Sequence, residues 1–170
     1  MKRPLAVLGS TVFFFVAPGT VAGYVPWLLS GWRMRPPLLG APGVRTLGAA
    51  ILAGGLIVVL ESFARFALKG RGTPAPPLPT EHLVVTGLYR YVRNPMYVGV
   101  LATILGQGLL LGSGSVLVYA AVVALGFHLF VLAYEEPTLR RTYGAEYEAY
   151  CAAVPRWWPR LGRWHRADHR

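Results

Sequence analysis

Chemistry in this chain is concentrated at two places. One is Gly87-Leu88-Tyr89-Arg90-Tyr91-Val92-Arg93-Asn94-Pro95-Met96-Tyr97-Val98-Gly99, where basic, aromatic and amide side chains run into an apolar segment. The other is Glu135-Glu136, which closes a later apolar segment. Pro95 suits the first turn of a helix, where its missing N–H has no partner to lose, and it pushes Asn94 out of helical conformation toward a capping role. A helix start with Arg93 beside it favours an anionic group. Adjacent helical residues point about 100° apart, so the glutamates are not a facing acid/base dyad. One carboxylate binding an ammonium or ribose, with the other holding structure, is the better division. His128 lies seven residues before Glu135 on nearly the same helix face. An ionisable residue inside an apolar segment is a functional candidate, and a hydrogen bond to Gln107 accounts for it equally well.

The elements that position these residues follow from four apolar runs. Leu5 to Leu29 is free of charge and exceeds the roughly 20 residues that span hydrocarbon as a helix. It continues past Pro18 without a good small-x-small cleavage site, so it reads as a retained span rather than a signal peptide. Pro36-Pro37, Pro42 and Gly43 precede a second run, about Val44 to Leu60, whose helix continues to about Leu68 through the i,i+4 pair Glu61 and Arg65. Lys69 to Pro79 is too rich in Pro and Gly for regular structure. The third and fourth runs, Met96 to Leu111 and Val116 to Tyr134, are joined by Gly112-Ser113-Gly114-Ser115, a connector short enough to force an antiparallel hairpin. The third is short for a full span and calls for tilt or a thinned bilayer. Gly19/Gly23 and Gly108/Gly112 are small-xxx-small pairs suited to helix packing. Beyond Tyr134, Leu139, Tyr143, Tyr147 and Tyr150 recur at helical spacing and predict an amphipathic helix; Trp157, Trp158 and Trp164 mix with Arg as interfacial anchors do.

The expected fold is therefore all-α, a polytopic membrane protein of about four transmembrane helices plus a cytoplasmic amphipathic C-terminal helix. Residues 1–170 form a single domain, with 1–68 as the first two spans and 78–160 as the motif region around the hairpin 96–134. Placing the N-terminus inside puts 14 of the 17 Lys and Arg on the cytoplasmic side and leaves Arg33, Arg35 and Arg45 outside. The positive-inside rule favours that orientation, with both termini and the site cytoplasmic.

Composition excludes several classes. The chain is 54% hydrophobic and 14% charged, well under the roughly 25% charge of a soluble domain. Its net charge of +10 belongs to loops beside apolar runs, the pattern of an anionic leaflet rather than of nucleic acid. Cys151 is the single cysteine, so no intramolecular disulfide forms, and no Cys/His cluster has metal-ligand spacing. Gly106-Gln107-Gly108 and Gly112-Ser113-Gly114 lack the strand, turn and helix order of a nucleotide fingerprint, and no G-x-S-x-G elbow occurs.

Gly87-Leu88-Tyr89 followed by Arg93-Asn94-Pro95-Met96-Tyr97-Val98-Gly99 resembles the G-x-Y…R-H/N-P-x-Y-x-G block of membrane methyltransferases of the isoprenylcysteine carboxyl methyltransferase and phospholipid methyltransferase type. Glu135-Glu136-x-x-Leu139, Tyr143-Gly144-x-x-Tyr147-x-x-Tyr150 and Val154-Pro155 resemble that family's second block. The resemblance covers roughly Leu78 to Arg160. It implies S-adenosylmethionine bound at the cytoplasmic mouth of the hairpin without a Rossmann domain. Gly87, Leu88, Tyr89, Arg93, Asn94, Pro95, Tyr97, Gly99, Glu135 and Glu136 are then the expected cofactor-binding residues, and Arg93 and Glu135 the expected catalytic ones. The implied partner is a lipophilic acceptor entering from membrane lipid, either a prenylcysteine-like carboxylate or a lipid amine headgroup. Methyl transfer by direct displacement depends mainly on alignment. Two departures stand out. Asn94 replaces the His of many members, and Ala153 stands where prenylcysteine-methylating members carry Arg before Val-Pro, with Arg156 following instead. A sterol-reductase-like membrane enzyme using NADPH, and a non-enzymatic membrane helper, are the alternatives.

Overall fold

A computed structural model of the chain describes residues 16–41, 43–69, 83, 85–162 and 164. Among these, every regular element is helical. Helix α1 covers residues 16–30, with Thr20–Tyr24 as a π-turn and Val25–Ser30 as its final stretch. A 3-10 turn at Leu38–Gly40 leads to α2, Gly43–Lys69. A second 3-10 turn, Gly87–Arg90, leads to α3, Pro95–Leu111, and then α4, Gly114–Phe130. From α4 the chain continues through a π-turn, Val131–Glu135, into α5, Glu136–Tyr143, and after Gly144 into α6, Ala145–Ala153.

Two helices are long and apolar enough to cross a membrane, Gly43–Arg65 and the continuous rod Gly114–Tyr143, and Pro95–Leu111 is a shorter apolar helix. The start of the first predicted run, and most of the Pro/Gly-rich connection after Lys69, lie outside the described residues. Val118, Val122, Leu125 and Leu129 form an exposed stripe on α4, as do Leu56, Ile57 and Leu60 on α2. Outward apolar stripes on helices of this length match lipid as the surrounding solvent.

Helices α2 and α3 run antiparallel with their backbones nearly touching. A Cβ on Gly55 would fall 2.6 Å from Thr103 N, and one on Gly99 2.9 Å from Val58 Cγ1. Gly48 and Gly106 pack each against the other helix in the same way. This four-glycine seam differs from the expected pairs: Gly23 has open space around it, and Gly112 instead caps α3 at φ +67°, beside the Pro36 carbonyl. Gly108 packs closely, against Leu117 of α4. Small residues let helices approach where no hydrophobic effect drives them together. The hairpin of α3 and α4 forms as expected, with Tyr97 stacked on Phe127 at 4.6 Å between ring centroids. Val59, Val100, Ile104, Val116 and Ala120 fill the space among the three helices.

Each π-turn precedes a proline by two residues, Pro26 in α1 and Pro137 in α5. A proline inside a helix removes one donor and crowds the carbonyl four residues before it, and one extra residue in the preceding turn relieves the crowding. Val25 N accordingly donates to Thr20 O, and Glu136 N to Val131 O. In α1 two carbonyls of the π-turn accept from the hairpin: Gln107 Nε2 donates to Ala22 O at 2.6 Å and Tyr119 Oη to Val21 O at 3.0 Å. Gln107 also accepts from Trp32 Nε1 at 3.3 Å. It therefore holds α1 rather than His128.

The predicted single amphipathic helix after Tyr134 is two helices, because Gly144 at φ +52° turns the chain between them. Tyr147, Tyr150 and Val154 of that region bury against Leu83, Val85, Leu139 and Trp164.

Candidate active site

The end of α2, the start of α3 and the end of α4 meet at one end of the bundle, because consecutive helices are antiparallel. Pro95 sits in the first turn of α3 as the sequence predicts. Asn94 does not cap with its side chain: its Nδ2 donates to Arg156 O at 3.1 Å, while its backbone carbonyl accepts from Val98 N. The reason is the tail. Arg93 N donates to Pro155 O, Arg160 N to Tyr91 O and Trp164 N to Arg90 O, so residues 155–162 and 164 form a strap beside residues 90–94.

The two glutamates have opposite surroundings. Glu136 is buried, its carboxylate 3.1 Å from Arg93 Nη1 and 2.5 Å from Arg156 Nε, with Arg140 at 3.9 Å. Three guanidiniums on one carboxylate make it a fixed structural anion. Glu135 accepts from Tyr97 Oη at 2.8 Å and faces no cation among the described residues. A partly buried carboxylate bonded to a neutral phenol leaves its charge uncompensated, an arrangement that favours a cationic ligand. Arg93 shows the reverse imbalance. Its side chain is only 10% exposed, it donates to Glu136 and, at 2.8 Å, to Cys151 Sγ, and its buried Nε has no acceptor among the described residues. The site thus carries an unused acceptor at Glu135 and an unused donor at Arg93.

The remaining predicted residues divide by position. Gly87, at φ +55°, lies where a Cβ would collide with the guanidinium of Arg65 from α2. Leu88 contributes its carbonyl, which accepts from Tyr91 N and Val92 N. Tyr89 is held through its own carbonyl, which accepts from Tyr150 Oη at 2.7 Å. Burial pushes the Tyr89 and Tyr150 phenols well above the ordinary tyrosine range, so both stay neutral donors. Gly99 faces α2 in the glycine seam.

Several participants carry little signal in the sequence. Arg65 reads as an interfacial partner of Glu61, with which it does pair, yet it also packs on Gly87. Arg156 stands out only as an offset arginine, and it is the second clamp on Glu136. Cys151 carries no signal beyond its spacing of one turn from Tyr147.

Residues 44–146 match the model of the phospholipid methyltransferase family. The chain belongs to the phospholipid methyltransferase family. Among curated relatives of this family member, a Protein-S-isoprenylcysteine O-methyltransferase from Schizosaccharomyces pombe is 31% identical over 68% of this chain and 46% of its own length. A Phosphatidylethanolamine N-methyltransferase from Homo sapiens is 34% identical over 68% of this chain and 57% of its own. The chain spans about half the length of these relatives. The stretch matched by the family model contains α2 from Val44 onward, both glutamates and the Arg93 segment, while the strap that clamps Glu136 lies beyond it.

Proposed function

We propose that the chain transfers a methyl group from S-adenosylmethionine to a lipophilic acceptor held in the membrane. The observation that carries this reading is the pair of adjacent carboxylates, one saturated by arginines and the other left without a cation. S-adenosylmethionine, when bound, supplies an electrophilic methyl on a cationic sulfur together with an ammonium and a carboxylate. Glu135 matches the cationic part, and the Arg93 guanidinium, one of whose nitrogens lacks an acceptor among the described residues, matches an anionic one. Tyr97 fixes the orientation of the Glu135 carboxylate, and the strap through Asn94 and Arg156 fixes the start of α3. Arg93 and Glu135 are the residues placed at the chemistry, with Gly87, Leu88, Tyr89, Asn94, Pro95, Tyr97 and Glu136 around them and Gly99 setting the approach of α2. No strong acid or base is required of them, since displacement at a methyl is governed by alignment.

In this reading the whole chain is one membrane domain of four spans with both termini and the site on the cytoplasmic face. The acceptor is a prenylcysteine-like carboxylate or a lipid amine. Titration of purified protein in detergent with S-adenosylhomocysteine tests the proposal. Binding is expected below millimolar concentration and should weaken at least tenfold in Glu135→Ala; a folded sample that binds nothing at near-millimolar ligand rejects it. Incubating membranes with labelled S-adenosylmethionine, wild type against Glu135→Ala, then identifies the methylated product in the lipid phase.

A further inference from the structure

His128 is the one basic side chain in α4, two turns toward the helix interior from Glu135. At 1.5 Å per residue that is about 10 Å. Its Nδ1 accepts a hydrogen bond from Trp157 Nε1 at 3.2 Å. An indole N–H only donates, so Nδ1 carries no proton and the neutral ring carries it on Nε2. The bond thereby defines a tautomer that presents Nε2–H as a donor. Among the described residues no protein acceptor meets that donor. The ring is half-buried, and its nitrogen is not enclosed in the protein core.

The surroundings place this donor on the lipid side of the site. Phe127, the preceding residue, stacks on Tyr97, which in turn holds Glu135. Leu125, Leu129 and Phe130 of the same helix are exposed, so the surface next to His128 faces the bilayer. A hydrogen-bond donor in hydrocarbon is costly unless something accepts from it. Trp157 belongs to the strap that also carries Arg156, so one segment fixes both the arginine clamp on Glu136 and the tautomer of His128.

We infer that His128 Nε2–H is a specificity donor for the acceptor lipid, hydrogen-bonding an oxygen of its headgroup or glycerol region while the nucleophile reaches the neighbourhood of Glu135. The inference rests on the methyltransferase reading above and assigns to it the residue that discriminates between its two acceptor classes, by favouring a lipid with an acceptor oxygen at that depth. A prenyl chain there would offer hydrocarbon alone. Two oxygens have the required chemistry, the phosphodiester and the acyl ester carbonyl. Trp157 is a positioning residue, acting only through His128.

The test is binding rather than turnover. Affinities of short-chain phosphatidylethanolamine, its dialkyl ether analogue and farnesylcysteine are measured by calorimetry on detergent-solubilised protein, with S-adenosylhomocysteine titrated separately. His128→Phe should weaken the ester phospholipid about tenfold, the loss of one hydrogen bond in an apolar setting, and leave farnesylcysteine and S-adenosylhomocysteine unchanged. His128→Gln, whose amide oxygen can accept from Trp157 and whose NH2 still donates, should restore most of the affinity. Weak binding of the ether analogue to wild type assigns the ester carbonyl, and normal binding assigns the phosphodiester. Unchanged phospholipid affinity in His128→Phe overturns the inference, as does an equal loss for all ligands. Absence of S-adenosylhomocysteine binding by wild type would instead reject the underlying methyltransferase reading.

Discussion

At the scale of single residues, Glu135 and Glu136 carry opposite burdens although they are neighbours and identical in chemistry. Glu136→Gln removes the counter-charge that Arg93 and Arg156 share. Leaving buried charges unpaired costs roughly 3–5 kcal/mol, so its thermal unfolding in detergent should shift down by many degrees. Glu135→Gln leaves no orphaned cation among the described residues and keeps an acceptor for Tyr97. Its melting temperature should stay within about 2 °C of wild type while affinity for S-adenosylhomocysteine drops at least tenfold. Differential scanning fluorimetry and calorimetry on the same two samples separate the outcomes; equal melting shifts for both would refute the division. The sequence exposes both glutamates and predicts that their surroundings differ, because a helix points neighbours apart, and the surroundings do differ. Which of the two is structural is not legible there. That depends on Arg156, which sits 20 residues downstream on a strap whose path no periodicity reveals.

At the scale of elements, the π-turn before Pro137 decides where Glu135 points. Pro137→Ala returns a donor to Ala133 O and lets the turn relax to an α-helix. One residue fewer in the turn rotates α4 by about 100° relative to α5. Because a proline within a helix costs about 3 kcal/mol, this variant should be no less stable than wild type, yet lose the Tyr97–Glu135 contact and most affinity for S-adenosylhomocysteine. A stable variant with intact affinity would show that the turn is incidental. The glycine seam offers a second contrast. Gly106→Leu drives a side chain into the backbone at Leu52, whereas Gly54 has open space around it. The first should cost at least the roughly 1–3 kcal/mol of overpacking, and Gly54→Ala should be neutral or stabilising by up to about 1 kcal/mol. Chemical unfolding of both measures the difference. Helix type, the hairpin and the first turn of α3 are readable from apolar runs, the short connector and Pro95. The seam is not, since Gly48 and Gly55 lie two turns apart on one helix and their partners lie on another; glycine spacing alone points to Gly19/Gly23 and Gly108/Gly112. Both π-turns are legible in retrospect, each announced by a proline in or at the end of an apolar run.

At the scale of the whole molecule, the polar cluster gathers at one end of the bundle and the Ser113–Ser115 connector lies at the other. If the rod Gly114–Tyr143 crosses the bilayer, cysteines placed at Ser115 and Ala152, both exposed, should react with a membrane-impermeant maleimide from opposite faces of sealed vesicles in a Cys151→Ser background. Labelling of both from one face would discard the four-span arrangement. The all-helical architecture is written in composition, because a chain this apolar and this poorly charged has lipid as its natural solvent. Sidedness rests on the distribution of arginine and lysine, a bias applied during insertion rather than a contact in the folded state, and vesicle labelling is therefore its proper measure.

The strap has a consequence for how the protein is made. Arg93, beside the start of α3, leaves the ribosome about 67 residues ahead of Arg160, which hydrogen-bonds back to Tyr91. At synthesis rates of about 5–20 residues per second, that interval is roughly 3 to 13 s. Glu136 itself leaves 20 residues ahead of Arg156, about 1 to 4 s, and until then lacks that partner. The clamp on Glu136 is therefore completed last, when the stretch around Arg156 and Trp157 folds back beside residues 90–94. A nascent chain stalled short of Arg156 would lack both the second clamp on Glu136 and the strap beside residues 90–94.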